Sequence, residues 1–424
     1  MYMQTGINAG TAGERLEALE ELLKDYQNNT LTIPVKTNNV NNHIHTIYSF
    51  SPYSPTSAVF TAWTSGLDTA GIMDHDSVAG CGEFIKAGEI INMATTVGFE
   101  CRCMVNDTPF AGRHINNPDQ TSVMYATCHG IPHQNIDAAQ QWLAPYRSKR
   151  VERMRRMSAN INALLNKSGI ALDFDKDVLG ISQYKNGGTV TERHLLYALA
   201  AKIVSRCSSG EETAAFLKNQ FGIAAAGKNL KVLLEGFDRE HYLYYLLGIL
   251  KSELVSKIYI DADDECPDII SFVKFVKHIG GIPAYPYLGD VGESVTGDKK
   301  AQIFEDSYLD ELIVWIKQIG FDAVTYMPTR NTPEQLKRLI GLCEANDLFQ
   351  ISGEDINTPF QSFVCEALRN PYCKHLIEST WALIGHEKAA TANAGDGMFT
   401  QKTQEAFPSL TQRVAHYAAL GKQQ

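Results

Sequence analysis

Residues 269–285 read IISFVKFVKHIGGIPAY, and the pattern of this stretch decides the fold. Ile269, Phe272, Val273 and Val276 recur at i, i+3, i+4 and i+7, which lays one apolar stripe along a helix. Gly280-Gly281 then interrupts the helix, and Ile282 to Tyr285 is a short apolar run of the kind that forms a buried strand. The same unit comes twice more. Leu309, Leu312, Ile313 and Ile316 precede Gly320 and a strand from Ala323 to Tyr326. Leu336, Leu339, Ile340 and Cys343 precede a strand from Phe349 to Ser352. Successive helix-then-strand units predict a parallel α/β sheet or barrel.

Upstream, strands and helices alternate from Val40 to about Thr127. Val59, Ala62 and Trp63 mark one helix face, Phe84, Ile85 and Ile90 the next, and Val97-Gly98-Phe99-Glu100 begins a strand. Between Gln134 and Ser256 the character changes to long helical patterns over Val151–Leu165, Thr191–Val204 and Tyr242–Leu254, which predicts an inserted all-helical domain. Leu16, Leu19, Leu22 and Leu23 place a further helix over residues 11–27, ending near Asn28-Asn29. The expected division is an N-terminal helical extension over 1–39, a barrel over 40–133 and 257–360, a helical insertion over 134–256, and C-terminal helices and tail over 361–424.

Composition excludes several classes. The formal net charge of -10 disfavours a nucleic-acid polymer as partner, because such binding depends on lysines and arginines that neutralise phosphates. No apolar run approaches the ~20 residues of a membrane span, so no membrane partner is expected. Met1-Tyr2-Met3-Gln4-Thr5 lacks the basic and apolar regions of a secretion signal. The nine cysteines are an odd number scattered along the chain, which predicts reduced thiols and a cytoplasmic location.

In α/β sheets and barrels ligands collect at the C-terminal ends of the strands. His43 and His45 stand at i and i+2, so both side chains leave the same face of a strand and can reach one ion. The polar run Asn38 to Asn42 before them suits a strand entering from a loop. Asp74-His75-Asp76 ends the apolar run Ala70 to Met73. His75 is expected to face the site, Asp74 to work beside it or to orient a histidine, and Asp76 to be structural. Glu100 lies on an apolar strand, where an unpaired carboxylate is costly, and this favours a ligand role. Cys101 and Cys103 alternate with Glu100 and Arg102, so the thiols are expected beneath helices. Tyr285, Tyr326 and Asp355 also fall at or just past strands. Arg330, after the strand ending at Tyr326, is a candidate phosphate anchor. The basic run Arg147, Lys149, Arg150, Arg153, Arg155 and Arg156 reads as a solvated helix surface.

Taken together, the His43-Ile44-His45 motif, Asp74-His75-Asp76, Glu100, the segment Gly280 to Pro286 and the segment Ser352 to Asn357 resemble the polymerase and histidinol phosphatase (PHP) superfamily, over about 40–130 and 260–360. The resemblance implies a distorted (β/α)7 TIM-like barrel, the PHP fold, with a helical insertion. It also implies a cluster of up to three divalent metal ions and the hydrolysis of phosphoesters. By the same resemblance His43, His45, Glu100 and Asp355 hold one ion, Zn, Mn or Fe, with further ions left open. The chain departs from the family pattern at the other sites. Tyr285 stands in place of one histidine ligand, and Tyr125 in place of another, with His129 nearby. At the third site His75 is kept, while Phe50 and Asn357 replace an acid and a histidine. In related insertions an Arg-Pro-His motif contributes to the substrate pocket; here Glu192-Arg193-His194 stands there, and only the histidine matches.

The expected function is a metal-dependent phosphoesterase that hydrolyses a small phosphorylated metabolite or nucleotide through a water activated by the metal. His75 and Asp74 are its candidate catalytic residues; Tyr285, Asn357, His194, Arg193, Arg330, Tyr125 and His129 are candidates for substrate contact. An alternative is a catalytically degenerate barrel that binds a phosphorylated ligand or protein partner without hydrolysis, motivated by Phe50, Tyr285 and Asn357. A third reading, a metal-dependent amidohydrolase, also begins with two histidines on a barrel strand, but usually needs further histidines where this chain has tyrosines.

Overall fold

The computed structural model describes residues 6–28, 32, 34–166, 168–237, 241–291 and 303–423. Met1 to Thr5, which carry the reading of a missing secretion signal, lie outside the described residues, as does Asn29. Seven strands, β1 (Asn39–Ile44), β2 (Leu67–His75), β3 (Ala94–Met104), β4 (Val123–His129), β5 (Ile282–Tyr287), β6 (Ala323–Tyr326) and β7 (Phe349–Ser352), hydrogen-bond in chain order. A parallel bridge from Ile44 to Ile356 nearly closes the sheet into a barrel. Helices α1 (Ala12–Gln27), α2 (Pro55–Thr64) and α3 (Cys81–Ile91) come before β3. Between β4 and β5 lie α4 (Ile136–Leu164), α5 (Glu192–Arg206), α6 (Gly210–Phe221), α7 (Gly227–Glu235) and α8 (Tyr242–Ile258). Helices α9 (Ile269–His278), α10 (Leu309–Ile319) and α11 (Pro333–Ala345) then precede β5, β6 and β7 in turn, and α12 (His375–Ala392), α13 (Gln401–Ala406) and α14 (Leu410–Gly421) complete the chain.

Local chemistry sets these boundaries. Asp268 caps α9 by accepting the Ser271 N–H at 3.0 Å. Thr332 and Gln335 cap α11 reciprocally, with Pro333 at its first position. The apolar stripes Phe272/Val273, Leu312/Ile316 and Leu336/Leu339 turn inward and enter the main core. All strand pairings are parallel except those of β4, which runs antiparallel to both β3 and β5. That reversal departs from the all-parallel expectation. No helix stands between β3 and β4 to carry the chain back across the sheet, so β4 returns directly beside β3.

The asparagine run before the histidines is mostly strand, entered from a loop that ends at Asn38. Asn39, Asn41 and Asn42 are buried parts of β1. The β1 register shifts between Asn41 and Ile44, and side-chain amides bridge the gap to the β7 side. Asn42 Nδ2 donates to the Ser352 carbonyl at 2.8 Å, and Asn41 Oδ1 accepts the Glu354 N–H at 3.0 Å. Gly353 permits this closure, because a Cβ there would lie 2.6 Å from the Cβ of His43.

Helices α4 to α8 enclose a hydrophobic cluster of their own, built on Met154, Leu195, Leu199, Leu246 and Leu250, and it takes in Phe50 from the barrel side. At the seam with the barrel only part of the basic run is solvated, where its sequence pattern suggested a solvated surface. Arg147, Arg150 and Arg153 recur every third residue on one buried face of α4, while the charges of Lys149, Arg155 and Arg156 point outward. Arg150 pairs with Asp76 at 2.6 Å, and Arg153 with Glu265 at 2.6 Å and with Glu192 at 2.7 Å. Arg102 of β3 joins them, 2.7 Å from Glu265. Three buried arginines thus face three carboxylates, and each charge is neutralised by its neighbours.

Helix α12 closes the barrel at the end where the parallel strands begin. Its Ala382 and Leu383 pack against Ile282, Ala323 and Phe349. Glu387 accepts the Val97 N–H at 2.9 Å and the Thr96 hydroxyl at 2.7 Å. The strand ends on the other side are left open to a ligand.

Candidate metal centre and pocket

His43 and His45 sit at the end of β1, and backbone bonds to Ile356 on both sides hold the intervening chain. His75 ends β2 and lies opposite Glu100 of β3 in the parallel register. Four side chains from β1, β2 and β3 therefore converge. His75 Nδ1, His45 Nε2 and His43 Nε2 lie 3.0, 3.4 and 3.7 Å from one oxygen of Glu100. One ligand atom from each of His43, His45 and Glu100 falls within 4.8 Å of the others. Asp355, just past β7, brings Oδ1 to 3.1 Å from His45 Nε2. The His45 and His75 rings stack at 4.8 Å between centroids.

This donor set suits a divalent cation. His43 Nε2, His45 Nε2 and His75 Nδ1 are buried nitrogens without a hydrogen-bond partner, all directed at the same carboxylate. Burial would raise the Glu100 carboxyl, but the imidazoles of His75 and His43 outweigh it and hold the group well below the usual carboxylate range. Asp355 is likewise held down against burial, chiefly by its contact with His45. His45 shows the reverse: burial disfavours its charge, yet Asp355 and Glu100 raise it above the ordinary histidine value. Buried carboxylates here demand positive charge, and imidazole with carboxylate donors matches Zn, Mn or Fe.

Asp74 does not face the pocket. It accepts the Thr46 N–H at 2.7 Å, the Thr46 hydroxyl at 2.6 Å and the Ser49 hydroxyl at 2.5 Å. Ser49 Oγ in turn touches His45 Nδ1 at 3.2 Å, so Asp74 orients that ring from behind. Asn357 Nδ2 donates to Asp355 Oδ1 at 2.7 Å and orients the carboxylate in the same way.

One pocket opens on this centre. Its walls carry His43, His75, Glu100, Asp355 and Asn357 from the barrel together with Tyr125, Arg193 and Arg330. Lys251 of α8 and Asn116 line it too. Sequence reasoning missed both, since a lysine within a helical pattern carries no signal of its direction. Other expected contacts lie elsewhere. Tyr285 is fully buried with its hydroxyl donated to Glu305, a neighbour that its position on β5 did not disclose. His194 is buried at the start of α5, where Nδ1 accepts the Thr191 N–H at 3.0 Å and the ring meets Phe50 edge-on. Phe50, at φ 104°, turns into the helical cluster. His129 is buried on β4, and burial pushes it down to about 3. Cys101 and Cys103 pack in the core, on the opposite face from Glu100.

No family model and no curated protein matches the chain. Solved structures do. A candidate metal-dependent phosphoesterase from Bifidobacterium adolescentis aligns with 81% of this chain and 97% of its own, at 20% identity and a TM-score of 0.50. An amidohydrolase from Chromobacterium violaceum, solved with sulfate and no metal, aligns with 80% of this chain and 96% of its own, at 16% identity and a TM-score of 0.52. The fold is shared. At such identities the likeness extends to the α/β barrel and its flanking helices, and a shared fold does not fix chemistry.

Proposed function

We propose that the protein is a metal-dependent phosphoesterase of the PHP type, acting on a small phosphorylated metabolite or nucleotide. The observation that carries this reading is the shared pocket: Arg193, Lys251 and Arg330 line the same cavity as His43, Glu100 and Asp355. Cations around a cation-binding centre suit an anionic group that must be held and polarised at once. A divalent ion held by His43, His45 and Glu100, with Asp355 beside them, would supply Lewis-acid activation of the phosphoester. Arg193, Lys251 and Arg330 bind the phosphoryl oxygens. Among the imidazoles His75 has the most exposed side chain, at 26% against 12% for His43 and 2% for His45, and it serves as the proton carrier. Asp74 and Asn357 act through His45 and Asp355 as positioning residues.

Residues 134–256 are read as a domain whose α5 and α8 bring Arg193 and Lys251 over the barrel and select the leaving group. A cytoplasmic setting accords with nine unpaired cysteines. Among the described residues no helix is long and apolar enough to cross a membrane.

The test is release of inorganic phosphate from a panel of small phosphoesters by protein loaded with Mn²⁺ or Zn²⁺. Turnover that His43→Ala abolishes supports the reading, and metal-loaded protein inert across the panel contradicts it. A second reading, binding without hydrolysis, is favoured by Tyr285 and Asn357, whose polar ends are engaged with Glu305 and Asp355. A ligand-induced rise in melting temperature without product would select it.

A further inference from the structure

We propose that Glu305 is a positioning residue for the anion-binding wall of this pocket, acting on Arg330 through the peptide of Leu288. The inference rests on the reading of that pocket as a phosphate site. Leu288 and Arg330 both line it. Arg330 Nε donates to the Leu288 carbonyl at 3.0 Å, and Asn331 Nδ2 donates to the same oxygen at 2.8 Å. From the other side the Leu288 N–H donates to Glu305 Oε2 at 3.2 Å, and the Gly289 N–H donates to that oxygen at 2.8 Å. Glu305 Oε1 accepts the Tyr285 hydroxyl. The turn is thus gripped by a carboxylate on its N–H groups and by the pocket arginine on its carbonyl.

Gly289 has φ +70°, in the left-handed region that favours glycine, and a Cβ there would press on Asn331 Nδ2 at 2.5 Å and on the Tyr287 hydroxyl at 2.7 Å. Glu305 is buried, and burial pushes its carboxyl up to about 8, a rise that the Tyr285 hydroxyl and the Gly289 and Leu288 N–H groups only partly oppose. Tyr285 stands where the family resemblance expected a histidine ligand, and it acts here on the wall of the site, behind the pocket surface. The bond from Nε to the Leu288 carbonyl sets the plane of the guanidinium that lines the pocket.

Glu305→Gln keeps the shape but leaves one accepting oxygen for three donors, so the turn relaxes. The experiment is a double-mutant cycle with inorganic phosphate as probe, titrated into the Mn²⁺-loaded full-length protein by calorimetry. Glu305→Gln should weaken phosphate binding on the order of five-fold, and should add little in an Arg330→Ala background. In turnover assays the same variant should raise KM and leave kcat near the wild-type value. Wild-type affinity in Glu305→Gln, or an undiminished effect in the Arg330→Ala background, overturns the inference while the phosphate reading stands. A wild-type protein that binds no phosphate overturns both. Should Glu305→Gln fail to fold, Tyr285→Phe removes one donor from the same carboxylate, and the same cycle with Arg330→Ala decides.

Discussion

His75 Nδ1 lies 3.0 Å from Glu100 Oε1, and that oxygen is also the nearest carboxylate atom to His43 Nε2 at 3.7 Å. A single carboxylate therefore links imidazoles from β1 and β2 at the floor of the pocket. Its replacement removes charge but little volume. Glu100→Gln should fold with a melting temperature close to wild type, lose bound divalent ion and reduce phosphoester turnover by at least about 100-fold, since Lewis-acid activation accounts for several kcal/mol. Metal-loaded Glu100→Gln at wild-type turnover would remove the carboxylate from the account.

Asp74 reaches the centre only through Ser49 and His45. Asp74→Asn should keep the pocket cations in place yet weaken metal affinity by roughly 10- to 100-fold, the range for partners behind a ligand histidine. Competition against a chromogenic chelator measures it. An unchanged metal affinity would show that Ser49 and the backbone suffice to orient His45.

His194 gives a pH prediction. Burial pushes its folded value down to about 3, whereas an unfolded histidine titrates near ~6.5. Below that value the unfolded chain takes up a proton that the folded chain refuses. Stability from this group is therefore complete above ~6.5 and drains as pH falls toward 3, at about 1.4 kcal/mol per pH unit. Glutamine at the third helical position preserves the reach back to the Thr191 N–H and does not titrate. His194→Gln should cost stability at pH 7, and the gap to wild type should narrow by about 2 kcal/mol by pH 5 in denaturant unfolding of metal-free protein. A gap independent of pH would contradict a buried neutral imidazole.

Glu265 contacts Arg102 at 2.7 Å, Arg150 at 3.3 Å and Arg153 at 2.6 Å. Glu265→Ala leaves these guanidinium groups short of counter-charge in the seam and should destabilise the protein by about 3–5 kcal/mol. Thermal unfolding checks it, and a loss below about 1 kcal/mol would mean that water replaces the carboxylate.

Much of this arrangement is legible in the sequence, for a physical reason. The apolar stripes on α9, α10 and α11 and the short strands after them are local patterns, and so is the spacing that turns His43 and His45 to one side. What depends on distant partners is not legible. The reversal of β4 follows from the missing helix between β3 and β4. The burial of Arg150 and Arg153 needs Asp76 and Glu265, which the chain brings from far away. The burial of Asn41 and Asn42 is hidden in a polar run until their amides meet Ser352 and Glu354 from the far end of the chain. Tyr285 and His194 read as substrate contacts because the family resemblance puts them at a ligand position and in a pocket motif, but a polar tip goes to whichever neighbour is nearest. For Tyr285 that neighbour is Glu305, and for His194 it is the Thr191 backbone.

The most direct test is the metal content of purified protein, measured by elemental analysis after dialysis, for wild type and for His45→Ala. Wild type should retain a divalent transition-metal ion, and the folded variant should lose it. Equal metal in both proteins, or none in a wild type offered Mn²⁺ and Zn²⁺, would contradict the proposed centre.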